Sequence, residues 1–211
     1  MAKENREDSY LGNRLLKPTN VPQPFTKHEV EEYVKCRDDI VYFLKSYVKV
    51  IHVDKGLIPF DLYDYQQDLI DTLHNNRYVI VKSARQSGKS VTSLGYILHY
   101  ILFNQTKIVG MLANKASTSR ELLGRLQTAY QHLPKFLQQG IVEWNKGNIE
   151  LENGSKIIAS STSSSAIRGY SFSLLFLDEF AFVQRTIADA FIKSVYPTIS
   201  SGKDTKIIMV S

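Results

Sequence analysis

Residues 78–90 read Tyr78-Val-Ile-Val-Lys-Ser-Ala-Arg-Gln-Ser-Gly-Lys-Ser90, and the fold class follows from the change of character midway along them. Tyr78 to Val81 is a short, continuously apolar, β-branched run, the composition of a central parallel strand. From Lys89 to about residue 103 the pattern is helical, so a strand passes through a polar, glycine-bearing loop into a helix N-terminus. In that setting backbone N–H groups converge on phosphate oxygens and the helix dipole favours negative charge. Lys89 is placed to reach β- and γ-phosphate oxygens, and the Ser90 hydroxyl to bind Mg2+. The loop Ser83, Ala84, Arg85, Gln86, Ser87, Gly88, Lys89, Ser90 departs from the strict phosphate-loop pattern at one position, where Ser83 stands for the usual glycine.

A second motif lies downstream. Leu174-Leu-Phe-Leu-Asp178-Glu179 is an apolar strand ending in adjacent carboxylates. Such an end offers Asp178 to Mg2+, directly or through water, and offers Glu179 to the water that attacks the terminal phosphate. Hydrolysis needs both tasks done at one phosphate, which accounts for the pairing. Lys89 and Asp178 stand 89 positions apart, so at least one strand and helix intervene and the two motif strands need not be neighbours in the sheet.

Two arginines can supply transition-state charge. Arg85 lies inside the loop, close to its own nucleotide; Arg168, beside Gly169 in the segment before the Asp-Glu strand, can project outward. Either also suits an ordinary ion pair. Tyr65-Gln66 opens the helix that precedes the loop. A glutamine can pair with an adenine edge and a tyrosine can stack on the ring, but taken alone the two residues read as a helix-surface glutamine and a core tyrosine. Lys115, Arg120 and Arg125 read as the solvated face of a helix.

Around these motifs strand-like and helix-like stretches alternate: a strand over 107–112, a helix over 117–131, a strand over 174–177, a helix over 186–194 and a strand over 206–210. Alternation of this kind predicts an α/β domain with a mostly parallel sheet flanked by helices. A hairpin interrupts it, Ile149-Glu-Leu-Glu and Ser155-Lys-Ile-Ile-Ala about an Asn153-Gly154 turn that predicts type I′ geometry. Upstream, residues 1–25, with Pro18, Pro22 and Pro24 and no apolar period, read as an extended arm that orders only against a partner. Residues 26–63 form a helical segment: Thr26 and Glu29 make a capping-box pattern at the head of an amphipathic helix over 27–49. A loop through Gly56 and Pro59 follows. Asp61 or Asp64 then caps the next helix, and the core occupies 64–211.

Composition bounds the remaining classes. Apolar residues make up 43% of the 211 and aromatics 11%, which is globular rather than disordered. The mean hydropathy of −0.20, with no apolar run near 20 residues, argues against a membrane span. The charge-alternating N-terminus lacks the apolar stretch of a signal peptide. A single cysteine, Cys36, excludes an internal disulfide and a cysteine-rich zinc site. A net charge of +5 leans toward polyanionic partners.

In order along the chain, Asp64-Tyr-Gln-Gln-Asp, Ser83-Ala-Arg-Gln-Ser-Gly-Lys-Ser, Leu133-Pro-Lys-Phe-Leu, Ile141-Val-Glu-Trp-Asn-Lys-Gly, Ile149-Glu-Leu-Glu-Asn-Gly-Ser and Ile167-Arg-Gly-Tyr-Ser-Phe resemble the ATPase domain of the large terminase subunit of tailed bacteriophages, the T-even-like myovirus type most closely. The resemblance implies a P-loop ATPase of the additional-strand, RecA-like type. It implies ATP and Mg2+ as ligands, with Ser83 to Ser90 cradling the phosphates and Ser90 and Asp178 on the metal. Tyr65 and Gln66 match the family's adenine-binding motif, Arg85 its loop arginine, Arg168 an arginine that acts on a neighbouring subunit's ATP, and Glu179 the catalytic carboxylate. The implied assembly is a ring docked on the portal protein, working with a small terminase subunit and double-stranded DNA. The implied place is the host cytoplasm, transiently the procapsid portal vertex.

The likeness reaches Ser211, where the family's Ser/Thr coupling motif has at most its first residue. The family's nuclease domain lies beyond, so no DNA cleavage is expected of residues 1–211. Two other readings remain: a RecA-like helicase or translocase, and a catalytically silent assembly module docking through its N-terminal arm and helix. Phe180-Ala181 after Asp178-Glu179 speaks against a DEAD-box helicase.

Overall fold

A computed structural model describes residues 9–162, 169–200, 202 and 204–211, with residues 194–200 described by backbone alone. The elements are α1 (Lys27–Asp38), α2 (Ile40–Tyr47), β1 (Lys49–His52), β2 (Gly56–Pro59), α3 (Asp64–Asn75), β3 (Tyr78–Val81), α4 (Lys89–Phe103), β4 (Ile108–Ala113), α5 (Ala116–Gln131), β5 (Ile141–Trp144), β6 (Asn148–Leu151), β7 (Lys156–Ser161), β8 (Leu174–Asp178), α6 (Arg185–Ser200) and β9 (Lys206–Val210). Seven strands form one sheet in the order β3-β9-β8-β4-β7-β6-β5. The first five run parallel, and β6 and β5 continue the sheet antiparallel. The expected α/β class with a mostly parallel sheet is what the chain adopts.

The period of two along the strands distributes their side chains between two cores. Leu174 and Phe176 of β8, with Ile208 and Val210 of β9, enter the larger core, which holds α1 to α5. Leu175, Leu177 and Ile207 face the smaller one with Phe191 of α6. Strands apolar on both faces are thus buried on both faces. Helix α4 is apolar nearly all round for the same reason: Tyr96, Ile97, Leu98, Ile101 and Leu102 are each 1% exposed or less. Strand β3 departs from the expectation of a central strand. It is the sheet's edge among the described residues, paired with β9. Val79 is buried but Ile80 is 78% exposed, because nothing among the described residues covers that face.

Other expectations need correction. The helix expected over 27–49 breaks at Asp39, whose extended backbone (φ −128°, ψ 102°) ends α1 and whose carboxylate caps α2 by accepting the Tyr42 N–H at 2.8 Å. The preceding capping box does form: Thr26 N–H donates to the Glu29 carboxylate at 2.8 Å and Glu29 N–H to the Thr26 hydroxyl at 3.2 Å. The stretch expected as loop through Gly56 and Pro59 is an antiparallel hairpin, β1 with β2. Helix α3 is capped by neither Asp61 nor Asp64; its N-cap is Tyr63. The β6–β7 turn is not type I′, since Gly154 alone has positive φ (+79°) and its N–H closes on the Leu151 carbonyl at 2.9 Å. Asn153 instead uses its side chain, donating to the carbonyls of Ile101 (2.8 Å) and Asn104 (3.0 Å).

The N-terminal arm, expected to order only against a partner, lies on its own domain from residue 9 onward. Leu16 is 1% exposed, and Ile141 N–H donates to the Lys17 carbonyl at 2.9 Å. The Gln138 side chain fastens it, accepting from Lys17 N–H (3.1 Å) and donating to the carbonyls of Leu15 and Leu133 (both 2.9 Å). A polar, proline-bearing strip can be ordered this way because its backbone groups, not its side chains, supply the contacts.

Candidate active site

The parallel strands end at one edge of the sheet, and both motifs sit there. After β3 the loop 82–88 leads into α4, whose N-cap is Gly88 at φ +78°. Gln86, a non-glycine residue, is also left-handed at φ +62°. Alternation of hand is how a loop turns consecutive N–H groups toward an anion. Ser83 does not have positive φ, so the glycine usual there is not needed for conformation. Its hydroxyl is hydrogen-bonded to that of Ser87, and its N–H donates to the Ser211 carbonyl at 3.2 Å. Lys89 is 8% exposed, and its Nζ reaches the carbonyls of Ser83 (3.5 Å) and Ala84 (3.4 Å), spanning the loop it opens from.

Strands β3 and β8 are not neighbours; β9 lies between them. The sheet nevertheless brings the motifs into contact. Ser90 Oγ donates to Asp178 Oδ1 at 3.0 Å. Asp178 is 5% exposed. Burial pushes its carboxyl above the usual carboxylate value, the Ser90 hydrogen bond opposes this, adjacent Glu179 adds to it, and Lys89 and Arg125 pull the other way. A cation here would relieve both burial and repulsion. The donor set fits Mg2+, which takes one or two carboxylates and completes its shell with water and phosphate oxygens. Among the described residues there is no cluster of three or more acidic, histidine or cysteine side chains that could cage a metal without such help.

Glu179 adopts a left-handed conformation (φ 51°, ψ 38°). For an L-residue that costs on the order of 1 kcal/mol, and such strain concentrates at functional sites. Its carbonyl accepts the Phe182 N–H at 3.0 Å, and the short 3-10 turn Phe180–Phe182 holds the carboxylate's backbone at the end of β8.

Residues 80–210 match the family described as terminase large subunit, T4likevirus-type, N-terminal. The chain belongs to that family. In three dimensions this terminase domain is similar to the large terminase of bacteriophage HK97, at 20% identity and TM-score 0.68, over 83% of this chain and 37% of that one. It is also similar to the large terminase ATPase domain of Thermus phage P74-26, at 16% identity and TM-score 0.58, over 72% of this chain and 65% of that one. The UvsW helicase of bacteriophage T4 shares the fold at 12% identity and TM-score 0.51, over 82% of this chain and 59% of that one. The terminase domain thus spans about 37% of the length of the HK97 protein. The RecA-like fold is common to all three.

The remaining expected site residues fall in different places. Arg85 is exposed on the loop. Arg168 lies outside the described residues. Tyr65 is 50% exposed, stacks on Tyr63 with ring centroids 5.6 Å apart, and donates its hydroxyl to the Ser87 carbonyl at 2.7 Å. Gln66, read from sequence as a surface glutamine unless it pairs with a base, is 4% exposed. Its carbonyl oxygen accepts the Tyr63 N–H at 3.1 Å. The signal was present but unread: a glutamine at the third position of a helix is the reciprocal half of a capping box. Arg125, read as part of a solvated face, does form an exposed ion pair with Glu121 at 2.7 Å, yet it also acts on Asp178.

Proposed function

We propose that this terminase domain is the ATP-hydrolysing motor that drives double-stranded DNA into the procapsid. The observation that carries the reading is the Ser90–Asp178 hydrogen bond, which joins the two motifs across the sheet at 3.0 Å. Lys89, with the loop from Ser83 to Gly88, binds the triphosphate. Ser90 and Asp178 would hold Mg2+, which when bound neutralises charge on the β- and γ-phosphate oxygens. Glu179 accepts a proton from the attacking water, and Arg85 stabilises charge on the transferred group. Arg168 serves a neighbour's site in a ring docked on the portal protein, in the host cytoplasm, with a small terminase subunit supplying DNA recognition. No helix among the described residues is long and apolar enough to cross a membrane.

Glu179→Gln is expected to retain ATP while cutting turnover at least ~100-fold, the usual worth of a positioned base; binding by fluorescent ATP and phosphate release under saturation check it together. Unchanged turnover per bound ATP removes the role. The fold shared with a helicase favours one second reading, a duplex-separating translocase, which unwinding of a forked duplex would reveal.

A further inference from the structure

Gln66 and Gly88 belong to different elements, the first turn of α3 and the N-cap of α4, yet they meet side chain to backbone. A Cβ placed on Gly88 would lie 2.4 Å from Gln66 Nε2, well inside van der Waals contact. Gly88 is therefore demanded twice, by its left-handed φ of +78° and by the amide pressed against it. That amide is not free to turn outward. It is 4% exposed, and its oxygen is held by the Tyr63 N–H at 3.1 Å, leaving the NH2 end directed at the loop. One residue earlier, the Tyr65 hydroxyl donates to the carbonyl of Ser87 at 2.7 Å. Two consecutive residues of α3 thus grip two consecutive peptides of the phosphate loop, from a helix whose Ile70 and Leu73 are anchored in the larger core.

The geometry points to Tyr65 and Gln66 as positioning residues that set the shape of the phosphate loop, with Gln66 acting on the loop backbone rather than on the nucleotide base. The physical need is plain. A loop that binds phosphate through N–H groups gains from holding them in place before ligand arrives, and Gln86 and Gly88 sit in left-handed conformations that a free loop would not hold. This inference rests on the phosphate-binding reading of that loop.

The discriminating probe is a phosphate chain with no base. Gln66→Ala is expected to weaken Mg-ATP and Mg-tripolyphosphate by the same factor, at least about 10-fold, the worth of one lost buried hydrogen bond. Tyr65→Phe should weaken both by a smaller common factor. Weakened ATP with unchanged tripolyphosphate would make Gln66 a base-reading residue and overturn the proposal, as would no change in either. Hydrogen exchange on the ligand-free chain supplies a second arm: amides 84–88 should exchange faster in Gln66→Ala, and unchanged exchange overturns the proposal whatever the ligands do. Failure of the underlying reading looks different. In that case Lys89→Ala would bind tripolyphosphate as the unmodified chain does, while the exchange result at 84–88 would stand by itself.

Discussion

In the β6–β7 turn the left-handed conformation falls on Gly154, the Asn153 amide donates to the carbonyls of Ile101 and Asn104, and the Ser155 hydroxyl donates to Asn104. Across the sheet, at the ends of β3 and β8, it falls on Gln86 and Glu179 as well as on Gly88. The first region places the conformation where it costs least and occupies its polar groups. The second puts it on side chains with other work to do. Two buried glutamines repeat the contrast: Gln138 fastens the N-terminal arm to the core, whereas Gln66 is pressed against a loop built to receive a ligand. Strain is tolerated at the second region because α4, packed nearly all round, and the buried strands β8 and β9 hold the loop's flanks.

That contrast can be broken or sharpened, beginning with the framework that both regions share. His99 on α4 is 6% exposed, its Nε2 lies 2.9 Å from the Cys36 carbonyl, and burial holds its pKa down to about 4. The folded state therefore favours the neutral ring. The stabilisation is complete above the unfolded value near 6.5 and is lost as pH falls from there toward 4, on the order of 3 kcal/mol in all. Urea midpoints for the unmodified chain and His99→Gln, compared at pH 7 and 5, should show the flatter dependence in the variant. If both fall equally, another group is responsible.

Gln138→Ala should cost about 2 kcal/mol, because it strands buried groups of the arm and core without partners. Trypsin should then cut after Lys17 earlier than in the unmodified protein, while ATP turnover holds. At the quiet turn, Gly154→Ala is expected to destabilise by about 1 kcal/mol. The cause is its φ of +79°, with Thr106 Cγ2 3.1 Å from the new Cβ. The smallest effect has the opposite sign: Glu179→Gly should raise stability by about 0.5 kcal/mol by relieving the left-handed residue while abolishing turnover. A loss of stability there would mean that Glu179 carries no strain, and the contrast between the regions would fail.

Much of the fold was legible because its signals are local. The apolar runs of β8 and β9 and the all-round apolar α4 can be buried only between layers. Asp178-Glu179 and Gly88-Lys89-Ser90 are short motifs in the right local setting. The break at Asp39 was hidden because the apolar period continues through it and a single carboxylate does the capping. The β1–β2 hairpin was hidden because its strands are short and largely exposed, and β5 because its partner follows in the antiparallel extension of the sheet. Gln66 looked like a surface residue since nothing in a helical period says what lies against one turn of it.

By itself, then, the sequence determined the α/β class, the elements that bear the site and the residue types that phosphate and metal chemistry require, because periodicity and composition act over neighbouring residues. The tertiary structure decided the rest. It put β9 between the motif strands, Ser90 against Asp178, β3 at the sheet's edge, the arm on its own domain and Gln66 under Gly88. Each of these joins residues far apart in the chain, and such contacts are chosen by the packing of the whole core.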